Sequence, residues 1–167
     1  IWLNPLASLG ASRVRKKIMV KQILVNLPVK DLKKTKEFWL KLGFTFNPQL
    51  TNHNAAALVL GKNIFVMLML MNFMKRFTKK EVADATKTIE TINALRLDSK
   101  DKVDDIIKKA KAAGGKETRP TEDYGWMYGR SFEDIDGHQW EVLWMDPAKT
   151  PEDPVKDYIK EGYKQSK

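Results

Sequence analysis

The chain has 167 residues, of which 43% are hydrophobic and 31% charged, proportions that are ordinary for a soluble globular protein. This length suits one domain, or two small similar modules that share a core. The absence of cysteine excludes disulfides, thiolate nucleophiles and cysteine metal ligands, and it fits the reducing compartment of a cytoplasmic protein, which is the localisation we expect. The longest apolar run, Ile64–Met71, is far shorter than the roughly 20 residues that span a bilayer, so we predict no membrane partner.

The formal net charge of +9 raises the question of a nucleic-acid partner. Part of this charge comes from residues 1–18, which contain Arg13, Arg15, Lys16 and Lys17 but no acidic residue. The other lysines are spread over two amphipathic helical segments, often beside acidic residues, as is typical of solvated helix faces. We therefore predict that the protein does not bind nucleic acid.

Residues 1–18 differ from the rest of the chain because an apolar stretch comes before the basic one. A secretory signal has the opposite order. We interpret this segment as an extension, artificial or natural, upstream of a domain that begins at residue 19. A basic targeting segment is the alternative.

Residues 19–71 have the pattern of a β-α-β-β-β unit, which we call module one. Asp31 can cap a helix whose apolar residues recur at helical spacing up to Gly43. Pro28 and Pro48 mark the ends of two of the strands. The predicted strands of module one are Lys21–Val29, Phe44–Asn47, Ala55–Leu60 and Ile64–Leu70.

A second β-α-β-β-β unit, module two, is predicted over residues 89–146. Its strands are expected at 89–97, 116–119, 126–132 and 138–145, with a helix that Ser99 caps. The connector, residues 72–88, contains a capping box at Thr78–Glu81 that predicts a short helix over 78–87. Residues 147–167 form a tail in which Val155, Tyr158 and Ile159 suggest a short amphipathic helix.

The stretch Asp134–Asp146 organises the second unit. Asp136-Gly137 is a tight-turn signal between antiparallel strands, and we expect His138 to bond nearby backbone there. After the turn, residues alternate between two faces. Trp140, Val142 and Trp144 are predicted to face the core. Glu141 faces the other way, either towards solvent or into a cavity.

The two units repeat one another, since residues 61–68 can be aligned with residues 137–144. Each unit is expected to form a curved sheet with its helix outside. The predicted fold is therefore α+β, with two paired βαβββ modules around a cleft.

Two segments resemble a known family: NLPVKDLKKTKEFWLKLGF in module one and MYGRSFEDIDGHQWEVLWMD in module two. The chain resembles the glyoxalase / bleomycin-resistance / extradiol-dioxygenase family, also called the vicinal oxygen chelate fold, over about residues 20–146. Within it the resemblance favours the branch labelled predicted lactoylglutathione lyase. It implies paired βαβββ modules, frequent two-fold dimers, and a divalent metal held by one ligand from each of four strands.

The resemblance places the four metal ligands at Leu24, Phe65, Ile92 and Glu141. Only Glu141 offers a lone pair from its side chain, so we expect no metal centre and no other cofactor. Asn26 lies on the same strand face as Leu24 and could supply an amide oxygen, but Asn26 and Glu141 are too few ligands. If these four positions are misaligned with the family by one or two residues, the alternative is a divalent metal bound by other residues.

Glu141 has two readings as a site residue. In an apolar pocket among Leu24, Phe65 and Ile92, desolvation would raise its pKa and make it a general base. Otherwise it is a strand carboxylate on a solvent-exposed face, or one that is paired with Arg96 or Arg130.

Trp126, Tyr128 and Arg130 alternate along one strand. If their face is the concave one, they give the cleft an aromatic wall with one cation, suited to a flat or anionic small molecule. The sequence leaves the face open.

Two functions follow from these observations. The first is a homodimeric protein of the bleomycin-resistance type, which binds a small organic molecule without metal. The second is a family enzyme (a lactoylglutathione lyase-like lyase or isomerase, or a dioxygenase) that uses a divalent metal or Glu141 as base.

Overall fold

The computed structural model describes residues 20–149. The predicted N-terminal extension and the tail helix lie outside this range. The helices are α1 (Leu32–Lys41), α2 (Met71–Met74) and α3 (Lys100–Ala112), with a 3-10 turn at Pro48–Leu50. The strands are β1 (Ile23–Val29), β2 (Thr45–Asn47), β3 (Ala55–Gly61), β4 (Ile64–Leu70), β5 (Ile92–Arg96), β6 (Lys116–Glu117), β7 (Glu122–Asp123), β8 (Met127–Glu133) and β9 (Gln139–Met145).

The described strands form two sheets with matching connectivity. The first has the order β1-β4-β3-β2, and the second has the order β5-β9-β8-β6 with β7 paired to β8. In each sheet the strand before the helix runs parallel to the last strand, and the other pairs are antiparallel. The predicted α+β fold with curved sheets is confirmed. Module one is a β-α-β-β-β unit, and module two has the same order with one additional short strand, β7.

The sequence signals that bound the two long helices act as predicted. The Asp31 carboxylate accepts hydrogen bonds from the backbone N–H groups of Lys33 and Lys34, and the Ser99 hydroxyl accepts one from Lys102 N at 3.2 Å. Beyond the helix ends, Gly43 has φ +96° and Gly114 has φ +104°. Glycine adopts this left-handed backbone without the steric cost that a Cβ brings.

A single hydrophobic core joins the two modules. Trp39 of α1 meets Trp140 of β9 edge to face, with ring centroids 4.7 Å apart, and lies 6.3 Å from the ring of Phe132. All three rings are fully buried. Trp144 packs at the edge of the same core. The helix-facing sides of both sheets, with α1 and α3, therefore share one apolar interior, as the alternation of Trp140 and Trp144 predicts.

The connector is where prediction and structure disagree. Residues 78–87 contain no helix, and the helix after β4 is instead α2. The Thr78 hydroxyl accepts from Lys80 N at 3.1 Å, a local turn rather than the longer reach of a capping box. Asp84 then holds a turn with Thr86 and lies 3.4 Å from Lys30 Nζ. Local turns at Thr78 and Asp84 thus stand where the sequence favours a helix.

Strand β5 also begins at Ile92, three residues later than predicted. None of the helices within residues 20–149 is both long and apolar enough to cross a bilayer.

Candidate functional site

The turn between β8 and β9 is built around the buried carboxylate of Asp134. One of its oxygens accepts from the backbone N–H groups of Asp136 and His138, both at 3.0 Å. The other accepts from the Trp140 indole N–H at 2.9 Å. Only 3% of Asp134 is exposed, and burial raises the pKa of its carboxyl group. Because its carboxylate is buried and accepts three hydrogen bonds, Asp134 stabilises the turn.

The same turn reaches into module one. Asp136 accepts from Lys30 N at 2.9 Å and from the Thr35 hydroxyl at 2.5 Å. His138 Nε2 lies 2.7 Å from the carbonyl oxygen of Pro28, a distant segment rather than the nearby backbone we predicted. We call Asp134, Asp136 and His138 the inter-module clasp. Its polar groups bind protein atoms on both modules.

A cavity of about 280 Å³ opens on the other face of the hairpin. Strand register places Glu141 opposite Ser131, and Leu143 opposite Gly129. A Cβ added at Gly129 would meet only Leu143 Cβ, at 3.9 Å, so the missing side chain leaves space there. Its apolar walls include Trp126, Met127, Leu143 and Met145. Its charged lining residues are Arg119, Glu122, Arg130 and Glu141, and we call the partly exposed Arg119, Glu122 and Glu141 its rim.

Glu141 is ion-paired at this rim. Its carboxylate bonds Arg119 Nη2, while Arg119 Nη1 lies 3.9 Å from Glu122 Oε1. Exposed fractions are 41% for the Arg119 side chain, 26% for Glu141 and 24% for Glu122. The predicted partners Arg96 and Arg130 were therefore wrong. Arg119 follows the short strand β6, and no spacing in the sequence links it to Glu141; only the register of the second sheet does.

The structure separates the three residues that were expected to share a face. Trp126 precedes β8 and lines the cavity. Tyr128 and Arg130 point towards α3, where both donate to the Asp104 carboxylate at 2.8 Å. Arg130 also binds Glu117, at 2.5 Å, and this hydrogen bond lowers the pKa of the Glu117 carboxyl group. Arg130 touches the cavity, but its charge is engaged on the helix side.

The apolar candidates lie elsewhere. Leu24 and Phe65 stand opposite one another on the first sheet, whereas Ile92 stands opposite Gln139 on the second. Leu24 is 43% exposed and Ile92 is 49% exposed. None of the three lines the cavity beside Glu141, which is formed by the second module alone.

Two further candidates lie beside other surfaces. Asn26 borders a second cavity, of about 500 Å³, between β1, the connector and the turn at Gly137. Arg96 Nη2 lies 3.5 Å from the carbonyl oxygen of Met145, outside the lining of the Glu141 cavity.

The donor set does not fit the metal that the fold family implies. Leu24, Phe65 and Ile92 carry no side-chain lone pair, and Glu141 binds Arg119. Among residues 20–149, no three His, Cys, Asp or Glu side chains come together as ligands.

Residues 21–142 match the family model described as Glyoxalase/Bleomycin resistance protein/Dioxygenase superfamily. The paired βαβββ modules agree with this match, and the chain belongs to that superfamily. The match does not distinguish the lactoylglutathione lyase branch from the others. Comparison with curated proteins gives no significant match.

Solved structures share the fold. A hypothetical protein from S. aureus is 26% identical, with a TM-score of 0.64, over 75% of this chain and 95% of that chain. A glyoxalase/bleomycin resistance protein/dioxygenase family enzyme from Burkholderia phytofirmans is 15% identical, with a TM-score of 0.60, over 74% and 97%. A fosfomycin resistance protein from Listeria monocytogenes is 20% identical, with a TM-score of 0.55, over 78% and 98%.

Proposed function

We propose that the protein binds a small organic molecule in the cavity beside Glu141. The observation that carries this proposal is a concave surface that combines apolar walls with a few charged residues in its lining. Ligand sites commonly combine apolar walls with a few polar groups that orient the ligand. Trp126 offers a flat ring for stacking, and Glu141 with Arg119 offers hydrogen-bonding groups.

The metal-free reading is part of this proposal. Three of the four positions at which the family holds a metal lack donor atoms, and the fourth is ion-paired. Metal analysis of the purified protein should give far less than one divalent ion per chain. About one nickel, zinc, manganese or iron ion per chain would contradict this reading and would favour a family enzyme.

A catalytic role for Glu141 is the second candidate, because its carboxylate opens onto the cavity. A bound molecule that displaces Arg119 would free Glu141 to accept a proton from a ligand atom within hydrogen-bond reach. Turnover by the wild type and loss of turnover in Glu141→Gln would support this role. Binding without turnover would leave the protein as a binding module.

A blocked cavity tests the binding proposal. Gly129→Val should fill the space in front of Leu143, and its backbone does not require positive φ. Gly61→Val is the matched control, a strand glycine whose added Cβ would contact only Ile64, at 3.6 Å or more. A fragment library should be screened by ligand-observed NMR. We expect aromatic fragments to bind the wild type and Gly61→Val but not Gly129→Val; equal binding by both variants would refute the site.

We also propose that the protein is a homodimer. The supporting observation is that each sheet leaves a large apolar side chain exposed in one chain: Leu24 at 43% on the first sheet and Ile92 at 49% on the second. Such surface is commonly buried by a partner. Sedimentation should show a dimer that Leu24→Glu weakens, and a wild-type monomer at high concentration would refute the proposal.

A further inference from the structure

The charges around the cavity are unequal. Two carboxylates, Glu122 and Glu141, face a single guanidinium, that of Arg119. The second arginine that touches the cavity, Arg130, is held by Asp104 and Glu117 on the helix side of the sheet. Carboxylates therefore outnumber arginine at the rim itself.

Arg96, which lies near the end of β9, contributes less to the charge of the cavity. Arg96 lies outside the cavity lining, with its Nη2 against the Met145 carbonyl oxygen. It belongs to the exposed residues, so water and salt screen its field. A ligand seated between Trp126 and Leu143 would instead contact the partly buried rim directly.

Resting on the proposed function, we propose that the cavity selects a flat aromatic molecule that carries a positive charge, and discriminates against aromatic carboxylates. An ammonium or amidinium group would share Glu122 and Glu141 with Arg119, and the Trp126 ring would favour the cation further. A carboxylate would have to displace one of the two resident carboxylates from Arg119. This preference is opposite to the anionic ligand that Arg130 suggested in the sequence.

Three probes with the same ring system test the preference: naphthylmethylamine, naphthylmethanol and naphthoate. Each is titrated calorimetrically into the wild type at low ionic strength. We expect the amine to bind about tenfold tighter than the alcohol, because two partly exposed charge pairs together contribute about that difference in affinity. The naphthoate should bind more weakly than the alcohol. The difference should shrink at high salt.

Charge variants identify the groups responsible. Glu122→Gln should weaken the amine several-fold and leave the alcohol unchanged, as expected for a partly exposed pair. Removing both carboxylates in Glu122→Gln/Glu141→Gln should make naphthoate the preferred probe. Glu37→Gln, an exposed carboxylate on α1, is the control for total charge and should bind like the wild type.

The outcomes separate this inference from the proposed function. If the three probes bind equally, or if naphthoate binds tightest, the charge preference is wrong and the binding site stands. A preference that survives in the double variant would likewise overturn it. If no probe binds the wild type, the aromatic binding site fails together with the preference.

Discussion

The two faces of the β8–β9 hairpin put acidic residues to opposite uses. On the closed side, Asp134 is 3% exposed and accepts three hydrogen bonds from its own segment. On the open side, seven residues later, Glu141 is 26% exposed in its side chain and shares an arginine with Glu122. The first carboxylate is satisfied by donors fixed within the fold. The second can exchange its partner for a ligand.

The comparison teaches which polar groups in a family motif are structural. Within the segment Asp134–Glu141, Asp136 and His138 bind backbone or hydroxyl groups of module one, and so they join the two halves of the molecule. Glu141 alone points to the cavity. A motif of several acids and a histidine thus contains one candidate for ligand chemistry. The other polar members hold the turn and the module interface.

The largest expected effect is at Asp134. Asp134→Ala leaves three buried donors unsatisfied: the N–H groups of Asp136 and His138 and the indole N–H of Trp140. We expect the free energy of unfolding to fall by about 3–5 kcal/mol, since each orphaned buried donor costs about 1–3 kcal/mol and the costs overlap. Denaturant unfolding measures it. A loss under about 1 kcal/mol would show that water replaces the carboxylate.

Asp134→Asn is the matched control and adds a pH signature. Burial raises the pKa of Asp134 in the folded state, so the folded chain holds this proton at pH values where the unfolded chain has released it. The associated stability is present below the ordinary aspartate pKa and is lost as pH rises through the folded-state pKa. Asp134→Asn lacks this titration, so the wild type should lose stability relative to it over that rise.

Gly137→Ala should come next. Gly137 has φ +97°, and an added Cβ would lie 2.6 Å from Thr86 N and 2.7 Å from Ala85 C. Gly125 is the control, because it has φ +78° with nothing within 4 Å of an added Cβ. Positive φ alone costs about 1–2 kcal/mol in Gly125→Ala, and the backbone clash should bring Gly137→Ala to about 3 kcal/mol. If the two variants lost the same free energy of unfolding, the connector at Ala85 and Thr86 would shift away from the added Cβ at no measurable cost.

Residue patterns predicted the core position of Trp140 and the caps of α1 and α3 because the causes of these features are local. Alternation places Trp140 in the core, and Asp31 and Ser99 cap helices within their own turns. The partner of Glu141 was missed because Arg119 comes from a different strand connection. Side-chain pairing across a sheet depends on the register between strands, which the sequence of one strand alone does not determine.

The same limit applies to Tyr128 and Arg130. Their alternation shows that they share a face, but only the structure shows that this face lies towards α3, where Arg130 binds Asp104 and Glu117. The helix predicted over 78–87 failed for a related reason. A capping box is a local preference, and this connector instead forms separate turns at Thr78 and Asp84.

Arg130→Met should have an intermediate effect. It keeps an apolar stem beside Tyr128 but removes the charge from Asp104 and Glu117, whose side chains are only partly exposed. We expect a loss of about 1–2 kcal/mol at neutral pH, allowing for solvent screening.

The hydrogen bond from Arg130 lowers the pKa of Glu117, so this stability is present above the ordinary glutamate pKa and is lost as pH falls through the folded-state value. The difference between wild type and variant should therefore shrink on acidification, which is opposite in sign to the Asp134 effect. A difference that does not change with pH would assign the loss to packing.

Glu141→Gln should have the smallest effect on stability and the sharpest effect on ligands. Its carboxylate binds a partly exposed arginine, and such pairs contribute about 0–1 kcal/mol. The amide keeps the shape of the side chain and can still accept from Arg119, so unfolding should change by less than about 1 kcal/mol. Binding of an aromatic amine should weaken while binding of the matching alcohol is kept. The same carboxyl-to-amide exchange at Asp134 provides the contrast: there stability should change and ligand preference should not. If Glu141→Gln destabilised the fold as strongly as Asp134→Asn, Glu141 would be a structural residue like those of the inter-module clasp. The proposal that it binds a ligand would then lose its support.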